Sequence, residues 1–198
     1  MAPTERRGTL ILVVGPSGAG KDTLIAGARV ELEPTGQFYF PRRVITRVAN
    51  AGGEDHIAVD AAEFDTMKGR GAFALSWEAH GFCYGVPANI EAALADGKHV
   101  IVNVSRSVLP EAWERFEPTR VISISAPAEE LRRRLIARGR ETSTEIEERS
   151  TSLHPAVLKP LAGWGIFMVM MYNVGSIEDG IREFVDVVRS QCHLIPPG

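Results

Sequence analysis

Short apolar runs alternate with longer amphipathic stretches along most of this sequence. The runs are rich in β-branched residues and predict buried strands at 9–14, 100–104, 120–125 and 166–171. The stretches in which apolar residues recur every three or four positions predict helices at 22–32, 87–96, 127–138 and 177–191. This alternation predicts an α/β fold in which a parallel sheet is flanked by helices.

Two segments interrupt the alternation. Residues 41–85 are rich in glycine and aromatic residues and contain only short β-like runs, which predicts a small inserted subdomain. Residues 139–153 are highly charged and predict a mobile lid. We therefore expect one domain over residues 1–198 that carries an insertion and a lid.

A glycine-rich loop, here called the P-loop, lies between the first predicted strand and the first predicted helix. It matches the spacing G-x-x-x-x-G-K and consists of Gly15, Pro16, Ser17, Gly18, Ala19, Gly20, Lys21, Asp22 and Thr23. Glycines let successive backbone N–H groups point into one concavity, and the helix N-terminus adds positive charge for phosphates. Lys21 adds a charge for the β and γ phosphates. The loop predicts ATP binding; the alternative is a strand-to-helix turn without a ligand.

Asp22 stands where the general motif has a serine or threonine that binds magnesium. A carboxylate oxygen is a hard ligand, so we expect Asp22 to hold Mg²⁺ directly or through water. The alternative is that Asp22 is an ordinary acidic residue in the first turn of a helix. Thr23 does not replace it, because the next side chain on a helix points about 100° away. At the end of the strand predicted at 100–104, where a second carboxylate is common in P-loop proteins, this chain has Asn103.

The composition excludes several classes of protein. The formal net charge of −3 gives no support for nucleic-acid binding. Cys83 and Cys192 lack metal-ligand spacing, which argues against a zinc site and a disulfide framework and favours a reducing, cytoplasmic setting. The apolar run at 10–14 is too short for a signal peptide, and no run approaches the roughly 20 residues of a membrane span.

Four further segments, together with the P-loop, resemble guanylate kinases and, more closely, the ribose 1,5-bisphosphate phosphokinases of bacterial phosphonate breakdown. They read ITR at 45–47, GEDHIA at 53–58, FALSWEAHG at 73–81 and YG at 84–85. The resemblance covers almost the whole chain, and the phosphokinases share the aspartate after the P-loop lysine. It implies a P-loop kinase fold, ATP and Mg²⁺ as cofactors, a small phosphorylated sugar as partner and acceptor binding by residues 41–85.

Two departures from guanylate kinase concern its acceptor. Asn50 stands where that family has a second arginine on the acceptor phosphate, and Leu75 stands where it has a glutamate that reads guanine. A leucine cannot accept hydrogen bonds from the guanine edge, and an unpaired buried polar group costs about 1–3 kcal/mol. The sequence therefore disfavours guanylate as the substrate.

The resemblance also implies roles for side chains beyond the P-loop. A sugar bisphosphate needs cations for two phosphates and small polar groups for its hydroxyls, so the candidate acceptor-binding residues are Arg47, His56, Ser76, Tyr84 and Arg106. Of these, Arg47 matches the Thr-Arg element that the family shares. Each has a structural alternative: Tyr84 could pack in the core, His56 could be a hydrogen-bonded scaffold residue, and Ser76 could be an ordinary strand residue. Asn173 resembles a residue of the loop that touches adenine, and the alternative there is a plain turn.

Two arginines in or beside the predicted lid are the transition-state candidates. With Lys21, the resemblance implies catalytic roles for Arg138 and Arg149. The alternative is a solvated helix face, because Glu145 and Arg149 stand four residues apart and could pair. We interpret the run 132–134 as surface charges of the preceding helix.

The expected function is ATP-dependent phosphorylation of ribose 1,5-bisphosphate to 5-phosphoribosyl 1-diphosphate. A nucleoside monophosphate kinase for guanylate is the enzymatic alternative. A non-catalytic guanylate-kinase-like interaction module is the alternative from another class, although such a module needs neither an intact P-loop nor lid arginines.

Overall fold

A computed structural model describes residues 7–48, 54–138 and 168–193. The strands are β1 (Leu10–Val14), β2 (Phe38–Tyr39), β3 (Val44–Ile45), β4 (Ile57–Ala58), β5 (Phe73–Ala79), β6 (Phe82–Pro87), β7 (His99–Asn103), β8 (Thr119–Ser125) and β9 (Met168–Tyr172). The helices are α1 (Lys21–Leu32), α2 (Ala61–Gly69), α3 (Ile90–Ala95), α4 (Leu109–Arg115), α5 (Ala128–Arg138) and α6 (Ile177–His193). Short 3-10 helices lie at Glu33–Thr35 and Arg106–Val108.

The main sheet is parallel and has the strand order β2-β7-β1-β8-β9. β1 lies at its centre, so the P-loop that follows β1 lies between the carboxyl ends of β7 and β8. In open α/β sheets, ligands bind in the crevice at this edge. The topology therefore brings the P-loop close to the residues that follow β7, β8 and β9.

The core lies on both faces of the main sheet. Every residue of β1 is fully buried. Leu10, Leu12 and Val14 pack on one face, whereas Ile11 and Val13 pack on the other. A strand buried on both sides needs apolar residues at every position, which is why the continuous run LILVV predicts this strand.

A second sheet has the order β4-β3-β6-β5 and lies within residues 44–87. β6 pairs antiparallel with β3 and β5, and β3 pairs parallel with β4. The range coincides with the segment predicted as an insertion. That this segment binds the acceptor stays a prediction.

The α/β fold and its parallel sheet are confirmed. The four predicted strands and four predicted helices are present, and their ends differ from the prediction by at most three residues, except that 166–167 lie outside the described part of the chain. Within the insertion, α2 was not predicted, although Asp60 caps it by accepting a hydrogen bond from the Glu63 backbone at 2.8 Å. The predicted lid at 139–153 lies outside the described residues.

Among the described helices, none combines the length and apolar character that crossing a membrane requires.

Candidate active site

The P-loop has the backbone geometry of a phosphate cradle. Gly15, Gly18 and Gly20 adopt positive φ angles of 151°, 82° and 86°. A side chain at Gly15 would collide with the carbonyl oxygen of Ile124, so glycine is required there by space as well as by conformation. The Lys21 ammonium donates to the carbonyl oxygens of Gly15 and Pro16, at 2.8 Å each. The cation is therefore held across the loop, and this arrangement fits nucleotide phosphates.

Asn173 supports the P-loop from the end of β9. Its side chain is buried, and its amide nitrogen donates to the carbonyl oxygen of Ala19 at 2.8 Å. A side chain at Gly20 would collide with the same amide, which shows how closely the two segments approach. The amide nitrogen thus has a structural partner inside the protein, and contact between Asn173 and adenine stays a prediction.

Arg134 also contacts the segment that supports the P-loop, whereas residues 132–134 were predicted to be surface charges. Its guanidinium donates to the carbonyl oxygen of Asn173 at 3.2 Å and to Glu130 at 2.7 Å. Its Nη1 is buried without a hydrogen-bond partner. Arg133, by contrast, is exposed and pairs with Glu130, as expected of a surface charge. The prediction was therefore wrong for Arg134, because helical spacing alone does not show that one of three arginines faces the P-loop.

Asp22 is oriented by the residue that ends β7. Asn103 donates from its side-chain amide to Asp22 Oδ1 at 2.7 Å. Arg43 Nη2 lies 4.0 Å from the same oxygen, and one third of the Asp22 side chain is exposed. An accessible carboxylate fixed by an amide donor fits a hard cation such as Mg²⁺. Asn103 thus orients Asp22 at the position where a second carboxylate is common.

Arg43 lies at the centre of the site, although it was not predicted as a site residue. Its Nε and Nη2 form a bidentate pair with the two oxygens of Glu54, at 2.6 Å each. Its Nη1 donates to the carbonyl oxygen of Asn103 at 3.0 Å. The side chain is only 8% exposed. A buried arginine needs such compensation, because an unpaired buried charge is costly.

Two predicted acceptor residues, Arg47 and His56, lie beside this pair. Arg47 Nη2 is 3.5 Å from Glu54 Oε2, and its Nε is buried without a partner. His56 is buried, and its two ring nitrogens lie 3.0 Å from the carbonyl oxygen of Glu54 and 3.1 Å from that of Arg47. His56 thus has the scaffold contacts that were its structural alternative, and it links the backbone of Arg47 to that of Glu54.

Tyr84 and Trp77 form an aromatic wall against Arg43. Their rings are stacked, with centroids 5.3 Å apart and an interplanar angle of 2°, because the two residues are cross-strand partners in β5 and β6. The Arg43 guanidinium lies 5.4 Å from the Tyr84 centroid and 5.9 Å from that of Trp77. Tyr84 is buried, as the structural alternative proposed. Ser76 precedes Trp77 in β5 and is half-buried.

Arg106 begins the 3-10 helix that follows β7, and this helix contacts β5. Its Nε is buried without a hydrogen-bond partner, and burial lowers the pKa of Arg106.

In the described part of the chain, the side-chain nitrogens left buried and unpaired all belong to arginines near the carboxyl edge of the main sheet, namely Arg47, Arg106 and Arg134. Unpaired cationic donors at one edge favour an anionic ligand there.

Some predicted residues lie where the structure gives no side-chain contacts. Arg149 and Asn50 lie outside the described residues, and only the backbone of Arg138 is described, at the end of α5. Their roles stay predictions. Leu75 is 1% exposed and packs in the core, where it offers no polar group to a ligand.

The sequence analysis assigned no role to Arg43 or Glu54 and did not predict that they form an ion pair. Glu54 belongs to the GEDHIA segment, so the motif contained it, but no role was assigned. Arg43 lies two residues before the ITR segment, and an apolar residue there would have fitted the strand equally well. A charged residue next to one of the short β-like runs of the insertion was the available signal.

No family model matches the chain. A curated ribose 1,5-bisphosphate phosphokinase from Agrobacterium fabrum is 44% identical over 95% of this chain and 100% of its own length. The chain belongs to the ribose 1,5-bisphosphate phosphokinase family. It is therefore an enzyme, and its class is that of the kinases.

A bifunctional ribose 1,5-bisphosphokinase-thymidine phosphorylase from Roseobacter denitrificans is 42% identical over 94% of this chain. The chain spans 27% of that protein, so the similarity concerns one part of the bifunctional relative. Among solved structures, guanylate kinase from Anaplasma phagocytophilum has a TM-score of 0.67 at 22% identity and covers 96% of this chain and 89% of its own. This likeness confirms the P-loop kinase fold. The two alternative functions, guanylate kinase and non-catalytic module, are not favoured by the curated relatives.

Proposed function

We propose that the chain transfers the γ-phosphoryl group of ATP to the C1 phosphate of ribose 1,5-bisphosphate and thereby forms 5-phosphoribosyl 1-diphosphate. The bond between Pγ and the β–γ bridging oxygen breaks, and a new bond joins Pγ to an oxygen of the C1 phosphate. ADP leaves with the electron pair of the broken bond. The observation that carries the proposal is 44% identity to a phosphokinase of the same length; by the same resemblance, the pathway is phosphonate breakdown.

The charges of the site support a phosphorylated acceptor. Arg47 and Arg106 each have a buried Nε without a partner, and both lie near the carboxyl edge of the main sheet. A phosphate oxygen is an acceptor that would satisfy such donors with charge-assisted hydrogen bonds. We assign Arg47 and Arg106 to the two phosphates of the sugar, and the lid arginines Arg138 and Arg149 to the moving phosphoryl group.

The contacts of the carboxylates Glu54 and Asp22 are consistent with a phosphate, rather than an alcohol, as the attacking group. A phosphate monoester has a second pKa near 6 and is already anionic at neutral pH, so it needs no general base. Glu54 uses both oxygens on Arg43, and Asp22 accepts from Asn103. In this proposal Glu54 thus serves Arg43 and Asp22 serves Mg²⁺, and a phosphate acceptor requires no third carboxylate as a base.

We propose that Asp22 holds Mg²⁺, which when bound neutralises charge on the β and γ phosphates. The P-loop amides and Lys21 hold the same phosphates, and Asn103 keeps the Asp22 carboxylate oriented. Asp22→Ala is expected to raise the Mg²⁺ concentration needed for half-maximal turnover. An unchanged Mg²⁺ requirement in this variant would refute the metal role of Asp22.

The proposal is tested by ADP release in a coupled assay with Mg²⁺ and ATP, in which ribose 1,5-bisphosphate and guanylate are offered separately. Release with the bisphosphate alone is expected. Release with guanylate alone would identify a nucleoside monophosphate kinase, whereas no release with either acceptor, together with weak or absent ATP binding, would favour the interaction module.

A further inference from the structure

Arg43 connects four parts of the molecule that are distant in sequence. It pairs with Glu54, donates to the backbone at Asn103, and lies over the ring of Tyr84. The contact with Asn103 spans 60 positions and joins the inserted sheet to the end of β7 in the main sheet. Through Asn103, the same contact reaches the carboxylate of Asp22 beside the P-loop.

Stability alone does not explain a buried ion pair in this position. Replacing such a pair by apolar residues of similar volume is often neutral or stabilising, because two charges must lose their hydration. The apolar alternative is available here, since the Arg43 guanidinium lies against the rings of Trp77 and Tyr84. The fixed geometry of the bidentate pair is what an apolar side chain cannot supply.

The Arg43–Glu54 pair also contacts Arg47. Glu54 Oε2 contacts Arg43 at 2.6 Å and Arg47 at 3.5 Å, so one carboxylate oxygen links the two guanidinium groups. His56 holds the backbone of Glu54 and Arg47 together on the other side. The direction of the Arg47 side chain therefore depends on where Arg43 holds Glu54.

We propose that Arg43 is a positioning residue for phosphoryl transfer, which sets Arg47 and the inserted sheet in register with the P-loop through Glu54 and the backbone of Asn103. This role rests on the proposed function only for the identity of the acceptor. Arg43 does not contact the reacting groups; it fixes the distance between an acceptor held by Arg47 and a nucleotide held by the P-loop. Misplacement of reacting groups by about 1 Å costs on the order of 100-fold in rate.

The decisive variant removes both charges at once. Arg43→Met/Glu54→Gln removes the buried Arg43–Glu54 pair as a whole, and Arg47, which loses its contact with Glu54, is partly exposed. Tm and the KM for ATP are therefore expected to stay close to those of the wild type. The kcat/KM for the acceptor is expected to fall about 100-fold. Arg115→Met is the matched control, because Arg115 also pairs with a carboxylate, donates to a backbone carbonyl and lies over an aromatic ring, but on α4. Its kinetics should not change.

A second test applies even if the double variant folds poorly. Arg43→Lys keeps the charge but cannot form the fork, and it should lower acceptor kcat/KM about tenfold. Because Arg43 acts through Arg47, the same change should cost much less in an Arg47→Gln background. The role of Arg43 would be overturned if Arg43→Lys lowered acceptor kcat/KM by the same factor with and without Arg47→Gln. It would also be overturned if Arg43→Met/Glu54→Gln were stable and had wild-type turnover. If the wild type uses another acceptor, the proposed function fails and the same comparison is made with that acceptor.

Discussion

The P-loop and the acceptor side bind charge in different ways. The P-loop uses nine consecutive residues and presents mainly backbone groups, with glycines at positive φ. The acceptor side uses side chains, and its central arginine joins Glu54, which lies 11 positions away, to Asn103, which lies 60 positions away. A backbone site is encoded locally, whereas a side-chain site exists only after distant segments have packed together.

This difference implies that the two sides respond differently to substitution. On the P-loop side, Lys21 is the one side chain that supplies a cation, and backbone N–H groups supply the other contacts to phosphate. A single replacement of Lys21 should therefore lower kcat severely. On the acceptor side, several arginines share the charge, so each replacement should change acceptor kinetics and leave the KM for ATP unchanged.

The largest effect is expected for Lys21→Ala. Lys21 is the cation held across the P-loop, and its loss should lower kcat on the order of 1,000-fold, because it stabilises charge that develops during transfer. Steady-state ADP release measures the change. Lys68→Ala, on the exposed side of α2, is the control. Near-normal turnover in Lys21→Ala would mean that the nucleotide phosphates are not held by this loop.

Arg47→Gln is expected to have the next largest effect. Loss of a charge-assisted hydrogen bond to the acceptor phosphate should lower acceptor kcat/KM by about 100-fold, with the KM for ATP unchanged. Initial rates at varied acceptor and fixed ATP measure this split. The control Arg189→Gln removes an arginine that pairs with Glu31 outside the site. A rise in the KM for ATP alone would show that Arg47 serves the nucleotide rather than the acceptor.

Arg106→Gln is expected to reduce acceptor kcat/KM by about tenfold, since this side chain is partly buried and contributes one of several cations. Removing the desolvated charge should also leave Tm unchanged or raise it. Thermal unfolding and kinetics are measured together, with the exposed Arg182→Gln as the control. A lower Tm with normal acceptor kinetics would show that Arg106 is structural.

Asn173→Ala should have the smallest effect on turnover and should act through stability. Its amide bonds the Ala19 carbonyl, and loss of a buried hydrogen bond leaves a group unpaired at a cost of about 1–3 kcal/mol. Denaturant unfolding measures the loss, and Asn89→Ala, which removes an exposed bond to Tyr39, is the control. A changed preference between ATP and GTP with full stability would instead support contact with adenine.

The sequence was most informative where structure depends on local pattern. β1 is buried on both faces, so its apolar run predicted the strand, and the strict glycine spacing predicted the P-loop. Helix α2 was missed, because the glycine and aromatic content of the insertion hid a short helix capped by Asp60. That cap is followed three residues later by Glu63, which is a recognisable helix start.

The sequence was least informative where a role depends on tertiary partners. Arg43 acquires its place through Glu54 and Asn103, and Arg134 faces the P-loop while its neighbour Arg133 is exposed. Neither fact follows from spacing, because the relevant partners come from other segments of the chain. The same reason explains why His56 was left between two roles until its contacts with two backbone carbonyls were seen.

The central claim is that this enzyme phosphorylates a phosphate group of a sugar bisphosphate. The most direct measurement is ³¹P NMR of the products from ATP, Mg²⁺ and ribose 1,5-bisphosphate. The account predicts loss of the C1 monophosphate signal and the appearance of two mutually coupled diphosphate signals in addition to those of ADP. An unchanged bisphosphate spectrum, with guanylate converted to its diphosphate in a parallel sample, would contradict it.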